Sequence, residues 1–366
     1  MTTYIFKTRV LLNLLIGVLL FFNDLQLSAQ ETIRFKTVVI DAGHGGRDSG
    51  ALGKFSKEKD IVLDVALQVG AYIKKYMPDI NVVYTRKSDV FVPLSKRADI
   101  ANEHDADLFL SIHANAISTS KIYGAETFVL GLHRTDENLE VAKLENSVIT
   151  LEEDYTTTYE GFDPNSAESY IIFELMQNIH IDQSIQMASL VQSQFKERVG
   201  RKDRGVKQAG FLVLRRASMP SVLIELGFLT NHNEEKFIAS EKGKTYMASA
   251  IFRAVRAYKE EFDSKSRMEE FASLAQSAEA TKISYRIQVA SSKKAIRKSA
   301  NIYERFTDVW EFEQGGRYKY TTQYHTNYEK AQAALSQIRE EVKDAFLVAF
   351  KGDQPIPLKE AVALQQ

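Results

Sequence analysis

Six short β-prone runs recur between residues 37 and 226, and several have no polar face: "TVVID" (37–41), "INVVYT" (80–85), "DLFLSIH" (107–113), "AETFVL" (125–130), "FLVLR" (211–215) and "SVLIEL" (221–226). A strand apolar on both sides must be covered on both sides, which a half-solvated antiparallel sheet does not provide. The intervening segments can supply that cover. "KEKDIVLDVALQVGAYIKKY" (57–76), "SKRADIANEH" (95–104) and "KTYMASAIFRAVRAYKEEF" (244–262) place apolar residues at helical spacing. The pattern predicts an α/β fold over residues 37–262, a mostly parallel sheet covered by helices on both faces.

The texture changes after Phe262. Residues 263–282 are polar without a strong apolar period and read as a linker with some helical tendency. Residues 283–352 then spell β-α-β-β-α-β, with helices over 293–306 and 327–342, the order of a small ferredoxin-like α+β domain. At the other end, Lys7 and Arg9 precede an apolar run, Val10–Phe22, that is shorter than the roughly 20 residues of a membrane span. Residues 1–29 therefore read as a secretory signal peptide, and the mature chain is expected beyond the inner membrane, in the periplasm, with no membrane span.

The 47 basic and 48 acidic side chains leave a formal net charge of -1, so no global field favours nucleic acid or an anionic membrane as partner. Cysteine is absent, which excludes disulfides, thiolate metal sites and a cysteine nucleophile.

Within this frame, "VVIDAGHGGRDSGALG" (38–53) breaks a buried strand into a glycine-rich loop that carries His44. The loop has neither the lysine and hydroxyl residue of a phosphate cradle nor the glycine spacing of a dinucleotide fold. A lone histidine in such a loop is ordinarily a turn residue. Here, however, a second strand also ends in a histidine, His113, and Glu58 opens the helix after the first loop. In an open α/β sheet, ligands gather at the carboxyl ends of the strands. Two imidazoles and one carboxylate with a fourth position open make the ligand set of a catalytic zinc. "PSVLIELGFLTN" brings Glu225 to the same rim; the plain reading is a salt-bridged carboxylate, yet a glutamate in so apolar a run needs a strong local reason.

Taken in order, "VVIDAGHGGRDSGALG", "KEKDIVLDVA", "VVYTRKSDVFVPLSKRADIAN", "LFLSIHANA", "GAETFVL", "QAGFLVLR" and "PSVLIELGFLTN" resemble the zinc-dependent N-acetylmuramoyl-L-alanine amidases of bacterial cell walls. The resemblance implies that His44, Glu58 and His113 hold one zinc and that Glu225 is the catalytic acid/base. It implies scaffold roles for Thr85, Arg86, Arg97 and Asn102. The substrate it implies is the amide between N-acetylmuramic acid and the L-alanine of the peptidoglycan stem, cleaved in wall remodelling and daughter-cell separation.

The likeness is interrupted between Asp136 and Asp182, where twelve acidic residues stand against the single basic Lys143. Eight basic residues follow between Lys196 and Arg216. Some members of the family carry an insertion here that occludes the active site until an activator protein displaces it, and residues 166–195 have the helical spacing of such a plug. The alternative is a solvated acidic excursion. Residues 284–351 resemble the sporulation-related repeat domain, which implies binding to peptidoglycan glycan strands; aromatic residues such as Trp310 and Tyr324 could stack on sugars or simply form cross-strand pairs. The expected function is a wall-associated zinc amidase. A zinc peptidase of stem peptides and a non-catalytic wall-binding scaffold are the alternatives.

Overall fold

The computed structural model describes residues 34–365, apart from 176–178, 299 and 307, so the signal peptide expected at 1–29 lies outside the described residues. The chain divides into two compact units, one ending at Ser266 and one beginning at Arg267.

In the first unit six strands form one sheet: β1 (Thr37–Ala42), β2 (Asn81–Tyr84), β3 (Leu108–Asn115), β4 (Ala125–Leu130), β5 (Asp203–Ala209) and β6 (Ser221–Phe228). Their order is β2-β1-β3-β6-β4-β5. The first four in that order run parallel; β4 is antiparallel to β6, and β5 is parallel to β4. The doubly apolar strands are buried on both faces, as their composition requires. Val38, Ile40, Leu110, Ile112, Val222 and Ile224 face one core, with helices α1 (Glu58–Tyr76), α4 (Ile181–Gln194), α6 (His232–Ile238) and α7 (Glu241–Thr281). Val39, Phe109 and Leu223 face the other, with α2 (Leu94–Glu103), α3 (Asp136–Asn146) and α5 (Leu212–Arg215). The expected α/β class is what the chain adopts.

One expected strand is absent and one observed strand was not expected. "FLVLR" is not a strand: Leu212–Arg215 is one helical turn whose leucines and valine are all buried, and a short run apolar on every side carries no period to tell the two apart. The strand in that region is "DRGVKQA" (203–209), half exposed at the sheet edge and therefore too polar to stand out. Residues 263–281, expected as a linker with some helical tendency, are helical throughout as the continuation of α7, and the boundary between the two units falls among them.

The second unit is an antiparallel sheet of β7 (Ile283–Ser292), β8 (Trp310–Gln314), β9 (Arg317–His325), β10 (Phe346–Lys351) and β11 (Gln354–Ile356), in the order β11-β10-β7-β9-β8. Without the edge strand β11 this is the split-βαβ arrangement expected. Its first helix, α8, covers only Asn301–Arg305 rather than 293–306, because Lys293, Lys294, Arg297 and Lys298 leave no apolar stripe to bury. The second, α9 (Tyr328–Glu341), sets Ala334, Leu335 and Ile338 against Ile287, and a last helix, α10 (Leu358–Gln365), follows β11. No helix among the described residues is long and apolar enough to cross a membrane.

One buried ion pair pins the first sheet beside the loop that carries His44. Asp41 of β1 is fully buried and accepts hydrogen bonds from Arg97 Nη1 (2.8 Å), Thr85 Oγ1 (2.6 Å) and Ser111 Oγ (2.7 Å). Burial pushes its carboxyl up, but Arg97 and the two hydroxyls outweigh that and hold it below the ordinary value. A depressed carboxylate stabilises the fold above its unfolded pKa of about 3.9 and loses that contribution as pH falls through the folded value. Asp41→Ala should destabilise the first unit by about 3–5 kcal/mol, since Arg97 is left buried and unpaired. Urea denaturation at pH 7 measures this; a loss under about 1 kcal/mol would show that Arg97 finds other partners.

Candidate active site

The site lies where β1, β3 and β6 end. Beyond β1 the chain turns through Gly43, His44, Gly45 and Gly46, with His44 itself in the left-handed region at φ 59°. The glycines make space for the rings. A Cβ on Gly43 would stand 2.4 Å from the His113 ring, and one on Gly50 would stand 2.6 Å from both Glu58 Oε2 and the His44 ring. The loop is glycine-rich so that an imidazole can be packed in it.

Two arginines hold this loop through its carbonyls. Arg86 donates to Ala42 (2.9 Å) and Gly43 (2.7 Å), and Arg97 to Ala42 (2.8 Å) and His44 (2.9 Å). Asn102 instead braces the turn before β6, at Arg216 and Ser218, at the far end of the strands from the site. Asp48 Oδ2 lies 2.7 Å from His44 Nδ1, which turns Nε2 inward. Glu58, the first residue of α1, accepts the N–H groups of Ala51 and Ala114, both at 2.8 Å. His113 of β3 has Nε2 3.1 Å from Ser111 Oγ, leaving Nδ1 to face Glu58.

A fourth group comes from the acidic insertion: Glu145, next to the last residue of α3 and 4% exposed. His44 Nε2 is 3.1 Å from Glu58 Oε1 and 3.1 Å from Glu145 Oε2. His113 Nδ1 is 3.1 Å from Glu58 Oε1, 2.9 Å from Glu145 Oε2 and 3.2 Å from His44 Nε2. Four donor atoms, one per residue, thus lie within 4.8 Å of one another. A tetrahedral ion bound at about 2.0–2.1 Å has ligand edges of about 3.3 Å. The donor set fits such an ion in both chemistry and size.

Burial opposes charging of both imidazoles, yet Glu58 and Glu145 raise His44 well above its ordinary pKa, and Glu145 above all raises His113 to about 9. Glu58 is pushed up by burial but held far below the carboxylate range by His44 and His113. The two carboxylates therefore need two imidazolium charges, or a divalent cation in their place.

Glu225 behaves oppositely. It is fully buried on β6, in register with His113 on one side and Glu126 on the other, and neither carboxyl oxygen has a hydrogen-bond partner. Burial, then the charges of Glu145, Glu58 and Glu126, raise it well above the ordinary carboxylate range. A carboxyl so displaced, beside a cluster that could hold a cation, is a candidate for proton transfer.

The sequence profile of the N-acetylmuramoyl-L-alanine amidases (Amidase_3) matches residues 38–257, a span that holds all of these groups. The chain belongs to this family. The N-acetylmuramoyl-L-alanine amidase AmiA of Escherichia coli K12 is 34% identical over 233 residues, which are 63% of this chain and 78% of that protein. LytC of Bacillus subtilis 168, also named an N-acetylmuramoyl-L-alanine amidase, is 31% identical over 223 residues, 61% of this chain and 35% of that one. Among solved structures, the amidase of Clostridium difficile 630 is 31% identical, covers 62% of this chain and 97% of its own, and superposes with a TM-score of 0.46.

All four residues picked out from the sequence, His44, Glu58, His113 and Glu225, meet at this rim. Sequence reasoning missed Glu145, Asp48 and Glu126. Nothing marks Glu145 among twelve acids, and among the described residues of 166–195, the segment read as a plug, none joins the cluster. Its helix α4 instead packs Met187, Ala188 and Val191 into the first core. Nor is the insertion a solvated excursion: Phe162, Tyr170 and Phe173 join the second core. Stripped of metal, the full chain should bind zinc, and His44→Ala or His113→Ala should weaken that binding at least ~10-fold. Competition against a chelating indicator reads this; wild-type affinity in both variants would place the ion elsewhere.

Proposed function

We propose that this protein hydrolyses the amide between N-acetylmuramic acid and the L-alanine of the peptidoglycan stem, with zinc held by His44, Glu58 and His113. The observation that carries the reading is the buried four-donor cluster lying beside an unpartnered Glu225, in a chain of the amidase family. A bound zinc supplies a Lewis acid that polarises a carbonyl and acidifies water. Glu225 takes the proton from the attacking water and returns it to the leaving amine. Asp48 and Ser111 orient the two rings, and Arg86 and Arg97 keep the His44 loop in place.

The insertion is autoinhibitory in this reading. Catalytic zinc sites keep a position open, whereas Glu145 here supplies a fourth protein donor. Its departure would also remove the largest like charge acting on Glu225 and so favour the ionised base. The helix end is anchored by Asn146, whose amide donates to the Gly210 carbonyl (2.7 Å) and accepts the Leu212 N–H (2.9 Å), so an activator protein has a defined contact to break. Excising residues 146–182 would leave Glu145 in place and remove aromatic side chains from the second core. The informative change is a single substitution.

On a soluble muropeptide, Glu145→Ala should raise the rate by roughly tens of fold, as expected when a closed state favoured by ~2–3 kcal/mol is released. Glu225→Gln should keep zinc and lose about 10²-fold or more. Product analysis decides the chemistry: intact stem peptides with a free L-alanine amine support the amidase, whereas cuts inside the stem would make it the peptidase. Equal rates for wild type and Glu145→Ala at equal zinc content would leave the insertion without a regulatory role.

The second unit is a wall-binding module of the sporulation-related repeat type in this reading, supported by its strand order and by Trp310 and Tyr324, and the enzyme works in the periplasm after loss of residues 1–29. The contacts of α7 with the first core run to Phe262 and Asp263, so a chain stopped after Ser266 keeps them. It should still cleave soluble fragments and be retained less by purified sacculi in a sedimentation assay. Unchanged retention would remove the module from wall binding.

A further inference from the structure

Two cations beside the site belong to no step of the mechanism. Arg204 and Lys207 stand on β5 three residues apart, a spacing that would put them on opposite faces of a regular strand. Gly205, at φ +84°, and a register shift against β4 form a bulge that turns both the same way. Arg204 Nε (2.7 Å) and Lys207 Nζ (2.6 Å) both donate to Oε2 of Glu126, which is fully buried and held on its other oxygen by Asn115 at 2.9 Å. Glu126 in turn is the register partner of Glu225, so the cations are fixed one strand away from the acid/base of the proposed reaction.

Their outer sides are capped by the insertion. Glu137 of α3 is bonded by Arg204, and Lys207 Nζ is 3.7 Å from the same oxygen. Unlike Glu126, Glu137 is 36% exposed. In the closed state two cations meet two carboxylates. If α3 lifts, Glu145 and Glu137 leave together, and one carboxylate remains for two cations. The pair is then a preorganised anion site with an open side. It lies along the cleft from Glu145 by eight helical residues, about 12 Å, the length of three or four extended peptide residues.

We propose that Arg204 and Lys207 form a substrate subsite for a free carboxylate of the stem peptide, and that Glu137 occupies it as an internal mimic while the insertion is closed. The proposal rests on the amidase reading for its substrate, but not for its test. Guanidinium and ammonium groups held by a buried carboxylate bind an incoming carboxylate without first having to be ordered. Two carboxylates of an acidic stem are within reach: that of the second residue, D-glutamate, and that of a third-residue diaminopimelate.

The experiment is calorimetric titration of the full-length chain carrying Glu137→Gln with three stem tripeptides, each amidated at its C-terminus so that only the carboxylates under test are free. One is L-alanyl-γ-D-glutamyl-diaminopimelate, one has its second residue amidated, and one has lysine in place of diaminopimelate. The acidic peptide should bind about tenfold or more tighter than one of the two less acidic ones, which also identifies the carboxylate recognised. Adding Arg204→Gln, or separately Lys207→Gln, should abolish that preference. Each single change leaves Glu126 one cation and Asn115, and circular dichroism checks that the fold persists. Equal affinity for all three peptides, no measurable binding of the acidic one, or a preference that survives both substitutions would overturn the subsite. Because the readout is binding, a failure of the amidase reading would appear separately, in the product analysis.

Discussion

Four glutamates, Glu58, Glu126, Glu145 and Glu225, are buried along one edge of a single sheet, where unpaired ionised carboxylates are not tolerated. Each is accommodated differently. Glu58 and Glu145 face two imidazoles in a geometry that suits either two protons or one divalent ion. Glu126 takes its charge balance from Arg204 and Lys207. Glu225 has no hydrogen bond, and burial together with the charges of Glu145, Glu58 and Glu126 raises its carboxyl well above the ordinary range. Three stabilised carboxylates around a fourth that is not stabilised make an asymmetric site suited to the proposed proton transfer, with the scaffold supplying every element of the asymmetry.

The scaffold holds because strand ends and loops are tied by buried polar contacts. Asp41 collects β2, β3 and α2 onto β1 through Thr85, Ser111 and Arg97, and Arg97 continues to the His44 carbonyl. The same guanidinium therefore neutralises a core carboxylate and positions the loop of the proposed ligand. Stability and site geometry are coupled at that residue.

The insertion shares the second core with α2 and α5, which makes it part of the folded unit. Its helix α3 touches the site twice, through Glu145 at the donor cluster and through Glu137 at the cation pair, about 12 Å apart along one rigid element. In the proposed autoinhibition one displacement would clear both positions, and Asn146 at its end fixes where it is held.

Much of this was readable in the chain itself. The doubly apolar strands required a sheet covered on both faces, because burial of both sides is the only use such composition has. His44, Glu58, His113 and Glu225 could be picked out because each stands at a strand end or a helix start, where a chain of this class brings its ligands. The turn at Leu212–Arg215 and the edge strand Asp203–Ala209 escaped, since a short apolar run has no period and an edge strand no apolar excess. Glu145 escaped for a different reason: one acid among twelve carries no local mark, and its part is defined by where the insertion sets it against His113 and His44, residues remote from it in sequence. The sequence by itself determined the class of fold and the residues that converge at its rim, because those follow from periodicity and residue chemistry. Only the tertiary structure decided which carboxylate completes the cluster, which cations surround it and which glutamate is left without a partner, because those are properties of distance and burial between segments remote in the chain.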